Sequence, residues 1–449
     1  MLQAKSIMNL LQIKHLEAEI ADQFLEDDNC RPWIIGFSGG KDSTMLLQLV
    51  WSAIEKHVPR DLRHSRKVYI VCNNTLVENP KILEYTDRVL KKIEDACPVK
   101  DMPFIIHRTH PKLEDTFWIN LIGKGYPAPN KIFRWCTERL KISPTTRFIL
   151  EKVNENGEVI LLLGTRSEES SNRAKTFKRH EFGNHRLRRH ILPNSYVYTP
   201  IKDIATQEVW EYLMQVPSPW GANNRDLVTI YRNASGGDCP LVIDTTTPSC
   251  GNSRFGCWVC TVVSKDKSME ALIDNGEEWM HPLLELRDLL AESRDRFDWR
   301  EKRRRNDEEG PGPYLPEIRA MFLEKLLRIQ KELQEEDPSV SLISNQELVA
   351  IQVVWYRDSI FTNRVSDIYN KVYSSKLADL DKLEQQHRQE EKILRSVCTE
   401  HPEDVQLINE LLALHKSKIL LRKKRGLSEE LETHLERFIK NKKGELENT

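Results

Sequence analysis

Trp33-Ile-Ile-Gly-Phe37, then Ser38-Gly39-Gly40-Lys41-Asp42-Ser43-Thr44, then Met45-Leu-Leu-Gln-Leu-Val-Trp51 is the stretch that decides the fold. An apolar run, a two-glycine turn and an apolar segment with helical spacing read as strand, loop and helix. Such a turn can grip a phosphate. Its glycines let backbone N–H groups approach a ligand, and the dipole of the new helix favours an anion. Ser38, Ser43 and Thr44 add hydroxyls, and Lys41 adds a point charge. The stretch is not the G-x-x-x-x-G-K-[ST] loop: Asp42 follows Lys41 where that pattern needs Ser or Thr, and no glycine lies five residues before Gly40.

Outward from this loop, short apolar runs alternate with helical segments. Lys67–Cys72 reads as a second strand ending in Asn73-Asn74-Thr75, and Tyr85–Cys97 as a helix. Met102–Arg108 reads as a third strand with His107, Arg108 and His110 at its end, and Val159–Gly164 as a fourth, running into Thr165-Arg166-Ser167. The alternation predicts an α/β fold with a doubly wound, mostly parallel sheet. Ligands of such sheets sit at the carboxyl ends of strands, so Asn74 and Thr75 are expected to border a nucleotide. An arginine at the end of the fourth strand, Arg166, is placed to clamp a phosphate. Thr199–Asp203 followed by Gln207–Met214 reads as a helix returning to the sheet.

The chain of 449 residues carries 67 Lys+Arg against 68 Asp+Glu, so net charge alone says nothing about nucleic acid and local charge must carry that argument. Between residues 173 and 190 stand Arg173, Lys175, Lys178, Arg179, Arg186, Arg188 and Arg189 against a single acid, Glu181. Such a nearly unopposed basic loop is expected to track a polyanion, each neutralised phosphate steepening the salt dependence by roughly one log unit per log unit. Neither a signal peptide nor a membrane span is read, and a cytoplasmic protein is expected.

Nine cysteines in a reducing compartment argue for metal or redox chemistry where they cluster. Cys250-x6-Cys257-x2-Cys260 is one cluster, and its glycines, Gly251 and Gly256, let the backbone wrap an ion. Cys136 is the expected fourth ligand, with Cys239 as the substitute. Cysteine-only ligation fits structural zinc or an iron–sulfur cluster, and spacing does not choose between them. The expected organisation is an N-terminal helix over 1–30, a nucleotide domain with the cysteine cluster over 31–265, a helical basic region over 266–375 and a helical hairpin or bundle over 376–449.

Ser38-Gly-Gly-Lys-Asp-Ser43, Cys136-Thr-Glu-Arg-Leu-Lys141 with Pro144, and Gly164-Thr-Arg-Ser-Glu-Glu-Ser170 resemble the sulfonucleotide reductase branch of the ATP pyrophosphatases, whose fold is adenine nucleotide alpha hydrolase-like with a PP-loop. Asn194–Pro200, Cys250–Cys260 with Thr261-Val-Val and Trp299–Tyr314 look like the DndC-type sulfurtransferases of bacterial DNA phosphorothioation. The resemblance implies cleavage of ATP to AMP and pyrophosphate, adenylation of a DNA backbone phosphate, and replacement of a non-bridging oxygen by sulfur from a cysteine desulfurase partner. Other DNA phosphorothioation proteins would be further partners. It also implies a [4Fe–4S] cluster on Cys136, Cys250, Cys257 and Cys260, with zinc as the alternative. In this scheme Ser38, Gly39, Gly40 and Ser43 hold pyrophosphate with Thr44 beside them, Lys41 offsets its charge, Asp42 binds Mg2+ and Arg166 contacts phosphate or adenylate. Cys398 is the only cysteine beyond Cys260, which speaks against a C-terminal nucleophile. A sulfonucleotide reductase or RNA thiolase of the same fold, and a non-catalytic ATP- and DNA-binding scaffold, are the competing readings.

Overall fold

In the computed structural model, residues 10–26, 30–169, 186–234, 256–306, 308–358, 360 and 363–374 are described, with isolated positions between 393 and 411. The chain divides into two compact units, and the division does not follow linear order: Met1–Pro111 joins Asn130–Arg287, while Lys112–Pro129 joins Asp288–Thr449.

The first unit is built on a six-stranded sheet. Helix α1 (Leu10–Leu25) precedes β1 (Trp33–Gly36), which feeds α2 (Lys41–His57). Then come β2 (Val68–Asn73), α3 (Pro80–Lys100), β3 (Phe104–Thr109), a helical stretch whose last part is α4 (Ser143–Asn156), and β4 (Val159–Leu162). Strands β5 (Leu187–Arg189) and β6 (Ser195–Tyr198) precede α5 (Thr206–Gln215), α6 (Asn224–Asn233), α7 (Lys267–Asp274) and α8 (His281–Ser293), within which the division between the units falls after Arg287. The strand order is β3-β2-β1-β4-β6-β5. Every pairing is parallel except that of β5 with β6, and Trp33 lies opposite both Val68 and Ile160.

Period-two geometry sends alternate strand residues into two cores. Trp33, Ile35, Val68, Ile70, Ile160 and Leu162 face the larger core, shared with α1, α2, α3 and α5. Ile34, Tyr69, Val71, Val159 and Leu161 face the smaller one, against Phe148, Ile149 and Val153 of α4. Both faces being covered explains why the strands read as unbroken apolar runs. Helix α2 is buried continuously from Ser43 to Ile54, and each fully buried Leu, Ile or Met there contributes ~1.5–3 kcal/mol. That anchoring fixes the loop at its N-terminus.

Helix α3 begins five residues before the sequence expectation. Asn79 accepts a hydrogen bond from the Lys81 N–H (3.1 Å), and Pro80 takes the first helical position. Strands β5 and β6 add to the four expected from the sequence, and β5, inside the expected basic loop, is an antiparallel edge strand.

The second unit is helical, with α9 (Pro316–Glu336), α10 (Asn345–Arg357) and α11 (Val365–Tyr373). Ser344 and Glu347 form a capping box at α10, and the indole N–H groups of Trp118 and Trp355 donate to the carbonyls of Leu342 (2.8 Å) and Ile122 (3.0 Å). Within the region 266–375 expected to be helical, the basic run Trp299–Arg305 instead folds back on itself: Arg300 bridges Tyr314 and Arg303 bridges Glu309 in antiparallel fashion. The Gly310–Pro313 break is what allows that return. The expected hairpin or bundle over 376–449 lies almost wholly outside the described residues. No described helix is long and apolar enough to cross a membrane.

Candidate functional site

Because β1 pairs with β2 on one side and β4 on the other, the connections diverge at β1 and β4, and a crevice opens at their carboxyl ends. A cavity of about 1040 Å³ fills it, lined by the Ser38–Ser43 loop, Asn73, Asn74, Glu78, Arg108, Lys141, Gly164, Thr165, Arg166 and Tyr231, among others.

The loop builds itself. Gly39 takes φ +72°, and a Cβ there would collide with the Thr86 hydroxyl, so only glycine fits. Ser43 Oγ and Thr44 Oγ1 both donate to the Gly40 carbonyl (3.0 and 2.9 Å), and Ser43 Oγ accepts the Ser38 N–H at 3.3 Å. These two hydroxyls therefore shape the turn. Gly40, the residue before α2, has no side chain with which to cap the first-turn N–H groups, so that end of the helix is open to an anion. The β4 loop comes close alongside: a Cβ on Gly164 would sit 3.0 Å from the Asp42 carbonyl carbon and 3.2 Å from the Ser43 nitrogen.

Asp42 and Arg166 meet at the bottom. Arg166 is 1% exposed; its Nε donates to Asp42 Oδ1 (2.6 Å), Nη1 to the Ile204 carbonyl (3.0 Å) and Nη2 to Thr206 Oγ1 (2.9 Å). All three guanidinium nitrogens are engaged by the protein. The other Asp42 oxygen takes Lys41 Nζ at 2.9 Å. With a cation on each carboxylate oxygen, Asp42 in this arrangement does not fit a Mg2+ ligand, because the ion would meet two positive charges. Its evident work is to hold Arg166 and Lys41 at the loop.

Of the residues expected at a nucleotide, Ser38, Gly39, Gly40, Lys41, Asp42, Ser43, Asn74 and Arg166 line this cavity, whereas Thr44 and Thr75 do not. Thr75 is fully buried; its hydroxyl donates to Glu78 Oε1 (2.9 Å) and lies 3.3 Å from Cys257 Sγ. Residues that sequence reasoning missed include Glu78, Lys141, Gly164, Thr165 and Tyr231. Lys141 and Gly164 sat inside quoted motifs; Tyr231 carried no local signal. Among the described residues the buried Thr165 hydroxyl has no hydrogen-bond partner, and an orphaned polar atom of this kind calls for a ligand or a water.

The cysteine turn docks on the segment after β2. Glu78 and Cys257 form an antiparallel bridge, the Trp258 N–H donates to the Val77 carbonyl (3.0 Å) and the Asn79 N–H to that of Gly256 (3.2 Å). The Cys260 N–H donates to the Cys257 carbonyl at 3.0 Å, closing the Cys-x-x-Cys turn. From α8, the fully buried Arg287 donates to the carbonyls of Cys260 (2.9 Å), Ser264 (3.0 Å) and Val263. Burial, and then the Glu78 charge, push the Cys257 thiol up to about 12. Burial and then the charge of Cys260 also raise Cys136. The Lys141 ammonium is held above its ordinary value first by Cys257, with Glu78, Cys260 and Cys136 adding to it. Lys141 and Glu78 thus belong both to the cavity wall and to the surroundings of the thiols. In donor type the three described cysteines fit a thiophilic metal or cluster. Among the described residues, however, no three His, Cys, Asp or Glu side chains are gathered as a finished metal site, and Cys250 and Cys239 lie outside them.

Of the seven basic residues expected to meet a polyanion, Arg173, Lys175, Lys178 and Arg179 lie outside the described residues. Arg186 pairs with Asp22 (3.8 Å) and Glu26 (3.5 Å) beside α1. Arg188 is half-buried on β5, and Arg189 is exposed there.

An uncharacterized protein of Methanocaldococcus jannaschii is 29% identical over 195 residues, 42% of this chain, and the match spans only 33% of that relative's length. A phosphoadenylyl-sulfate reductase from Candida auris in its phosphate complex aligns at 13% identity and TM-score 0.29, over 48% of this chain and 91% of its own. The U34-tRNA thiolase NcsA from Methanococcus maripaludis with its [4Fe-4S] cluster aligns at 17% identity and TM-score 0.27, over 50% and 73%. The family model described as the phosphoadenosine phosphosulfate reductase domain matches residues 32–263, slightly more than half of the chain, and the protein belongs to that family.

Proposed function

We propose that the protein is an ATP pyrophosphatase-type sulfurtransferase that adenylates a DNA backbone phosphate and lets sulfur replace one of its non-bridging oxygens. The observation that carries this reading is the pair of residues, Glu78 and Lys141, common to the phosphate-loop cavity and to the thiols. Adenylation and sulfur delivery need neighbouring sites. A phosphate oxygen of DNA attacks the α-phosphorus of ATP, and pyrophosphate leaves. Backbone N–H groups at Gly39 and Gly40 and the Lys41 ammonium would stabilise that departing charge; loss of one such contact costs on the order of 3 kcal/mol in the transition state. Asp42 and Arg166 act by holding Lys41 and the β4 loop in place. A thiol reductant supplies the two electrons that convert the desulfurase persulfide to sulfide, itself becoming a disulfide, and this sulfide then displaces AMP, which carries away the former phosphate oxygen.

Cys136, Cys257 and Cys260, with Cys250, would hold a [4Fe–4S] cluster or zinc, which when bound supplies a thiophilic centre beside the cavity. The basic segment of residues 173–190 would track the DNA backbone, and a cysteine desulfurase and other DNA phosphorothioation proteins would be the partners.

The test is anaerobic turnover with a cysteine desulfurase, cysteine, a dithiol reductant and ATP, offering DNA, tRNA or phosphoadenylyl sulfate in separate reactions. Pyrophosphate release stimulated by DNA, with phosphorothioate dinucleotides after nuclease digestion, is expected. Stimulation by tRNA alone, sulfite formation from the sulfonucleotide, or DNA binding without any pyrophosphate would overturn the reading in favour of a thiolase, a reductase or a scaffold.

A further inference from the structure

Tyr231 reaches the phosphate loop from α6, nearly two hundred residues downstream. It is 8% exposed and lines the cavity. Its Oη accepts the Lys41 backbone N–H at 3.5 Å, a long bond, and this N–H belongs to the open first turn of α2. The Lys41 ammonium lies 5.9 Å from its ring centroid. Trp210 packs edge-on against the ring, with centroids 4.9 Å apart at 78°, which fixes the phenol's direction. Gly40 gives it room, since a Cβ there would stand 3.3 Å from Oη.

We infer that Tyr231 is a further ligand of the anion held by this loop: its hydroxyl occupies the Lys41 N–H while the loop is empty and donates to the phosphate oxygen that takes that N–H over. The inference rests on the phosphate-loop reading and adds to it a residue of the leaving-group site. A hydroxyl both accepts and donates, so one small rotation serves both states without moving the backbone. Burial pushes this phenol up to about 12, so it keeps its proton over the working range. A long N–H···O bond at 3.5 Å is weak, and a phosphate oxygen replaces it readily. The phenol thereby favours pyrophosphate, which reaches the loop, over AMP, which leaves it vacant.

The experiment compares wild type with Tyr231→Phe, which keeps the ring on Trp210 and removes only the oxygen. Affinities for pyrophosphate and AMP are measured by isothermal titration of the full chain, together with thermal melting of the apo protein. Loss of a hydrogen bond to a charged group should weaken pyrophosphate by about 10-fold or more, with AMP within about twofold. Unchanged or tighter pyrophosphate binding would mean that the phenol is only a helix cap, and would overturn the inference while leaving the loop reading intact. If wild type itself binds no pyrophosphate, the loop reading falls and takes this inference with it. A crystal structure of wild type with pyrophosphate gives an independent check: Oη should lie within about 3.2 Å of a phosphate oxygen, and a longer separation refutes the contact.

Discussion

The phosphate loop and the cysteine turn stand close to the same cavity, yet they are made in opposite ways. The loop's shape comes from its own seven residues: Ser43 and Thr44 bond back to Gly40, and Gly39 supplies the positive φ. The cysteine turn borrows its shape from elsewhere, from Val77–Asn79 after β2, Thr75 and the buried Arg287 on α8. A contiguous site follows one helix start, whereas an assembled site stands or falls with packing at several distant places. What the two share is a pair of charges, Lys141 and Glu78, which line the cavity and act on the thiols.

The largest expected effect that probes this contrast is at the loop's own ion pair. Asp42→Ala leaves a buried guanidinium without its carboxylate, and the loss should be on the order of 3–5 kcal/mol, seen as a lower urea midpoint by tryptophan fluorescence. The cysteine turn should be untouched, so native-state alkylation of Cys257 stays slow. A change of less than about 1 kcal/mol would show that Glu168, Ile204 and Thr206 suffice to hold Arg166.

Next comes the mirror experiment. Arg287→Met leaves the carbonyls of Cys260, Val263 and Ser264 without their donor, each orphaned acceptor costing ~1–3 kcal/mol. The turn should open, Cys257 and Cys260 should react with iodoacetamide at least about tenfold faster, and pyrophosphate affinity should stay within about twofold. Equal damage to both readouts would erase the distinction between a self-made and an assembled site.

The smallest effect is a pH profile. The thiolate is the reactive form, and Cys257 is pushed up to about 12, chiefly by burial. Raising the pKa keeps the proton on, so at pH 8 the metal-free native thiol stays protonated and alkylation should keep climbing past pH 10. In urea the same residue should level off near the ordinary cysteine value of about 8.5. A native profile that levels at the same pH would remove burial as the cause.

Much of the nucleotide side was legible beforehand because its signals are local. The Trp33–Thr44 stretch specifies strand, turn and helix from neighbouring residues, and β1 through β4 appear where unbroken apolar runs placed them. Strand β5 is not legible, since Leu187–Arg189 lies within a basic run and gains its strand character only by pairing with Ser195–Tyr198, whereas the Tyr-Val-Tyr of β6 does carry a strand signal. The start of α3 is written in Asn79-Pro80, a capping side chain followed by proline at the first helical position.

By itself, then, the sequence determined the elements whose hydrogen bonds and turns close within a few residues: the strand order's raw material, the glycine turn, the buried helix after it and the spacing of the Cys257–Cys260 pair. Only the tertiary structure decided which charges meet. It set Arg166 on Asp42 rather than leaving it open to a ligand, turned Thr75 toward Cys257, put Lys141 beside both thiols and cavity, and brought Tyr231 to the mouth of α2. The reason is physical: backbone turns are governed by short-range sterics, while the burial and pairing of a side chain depend on whatever distant segment the sheet lays against it.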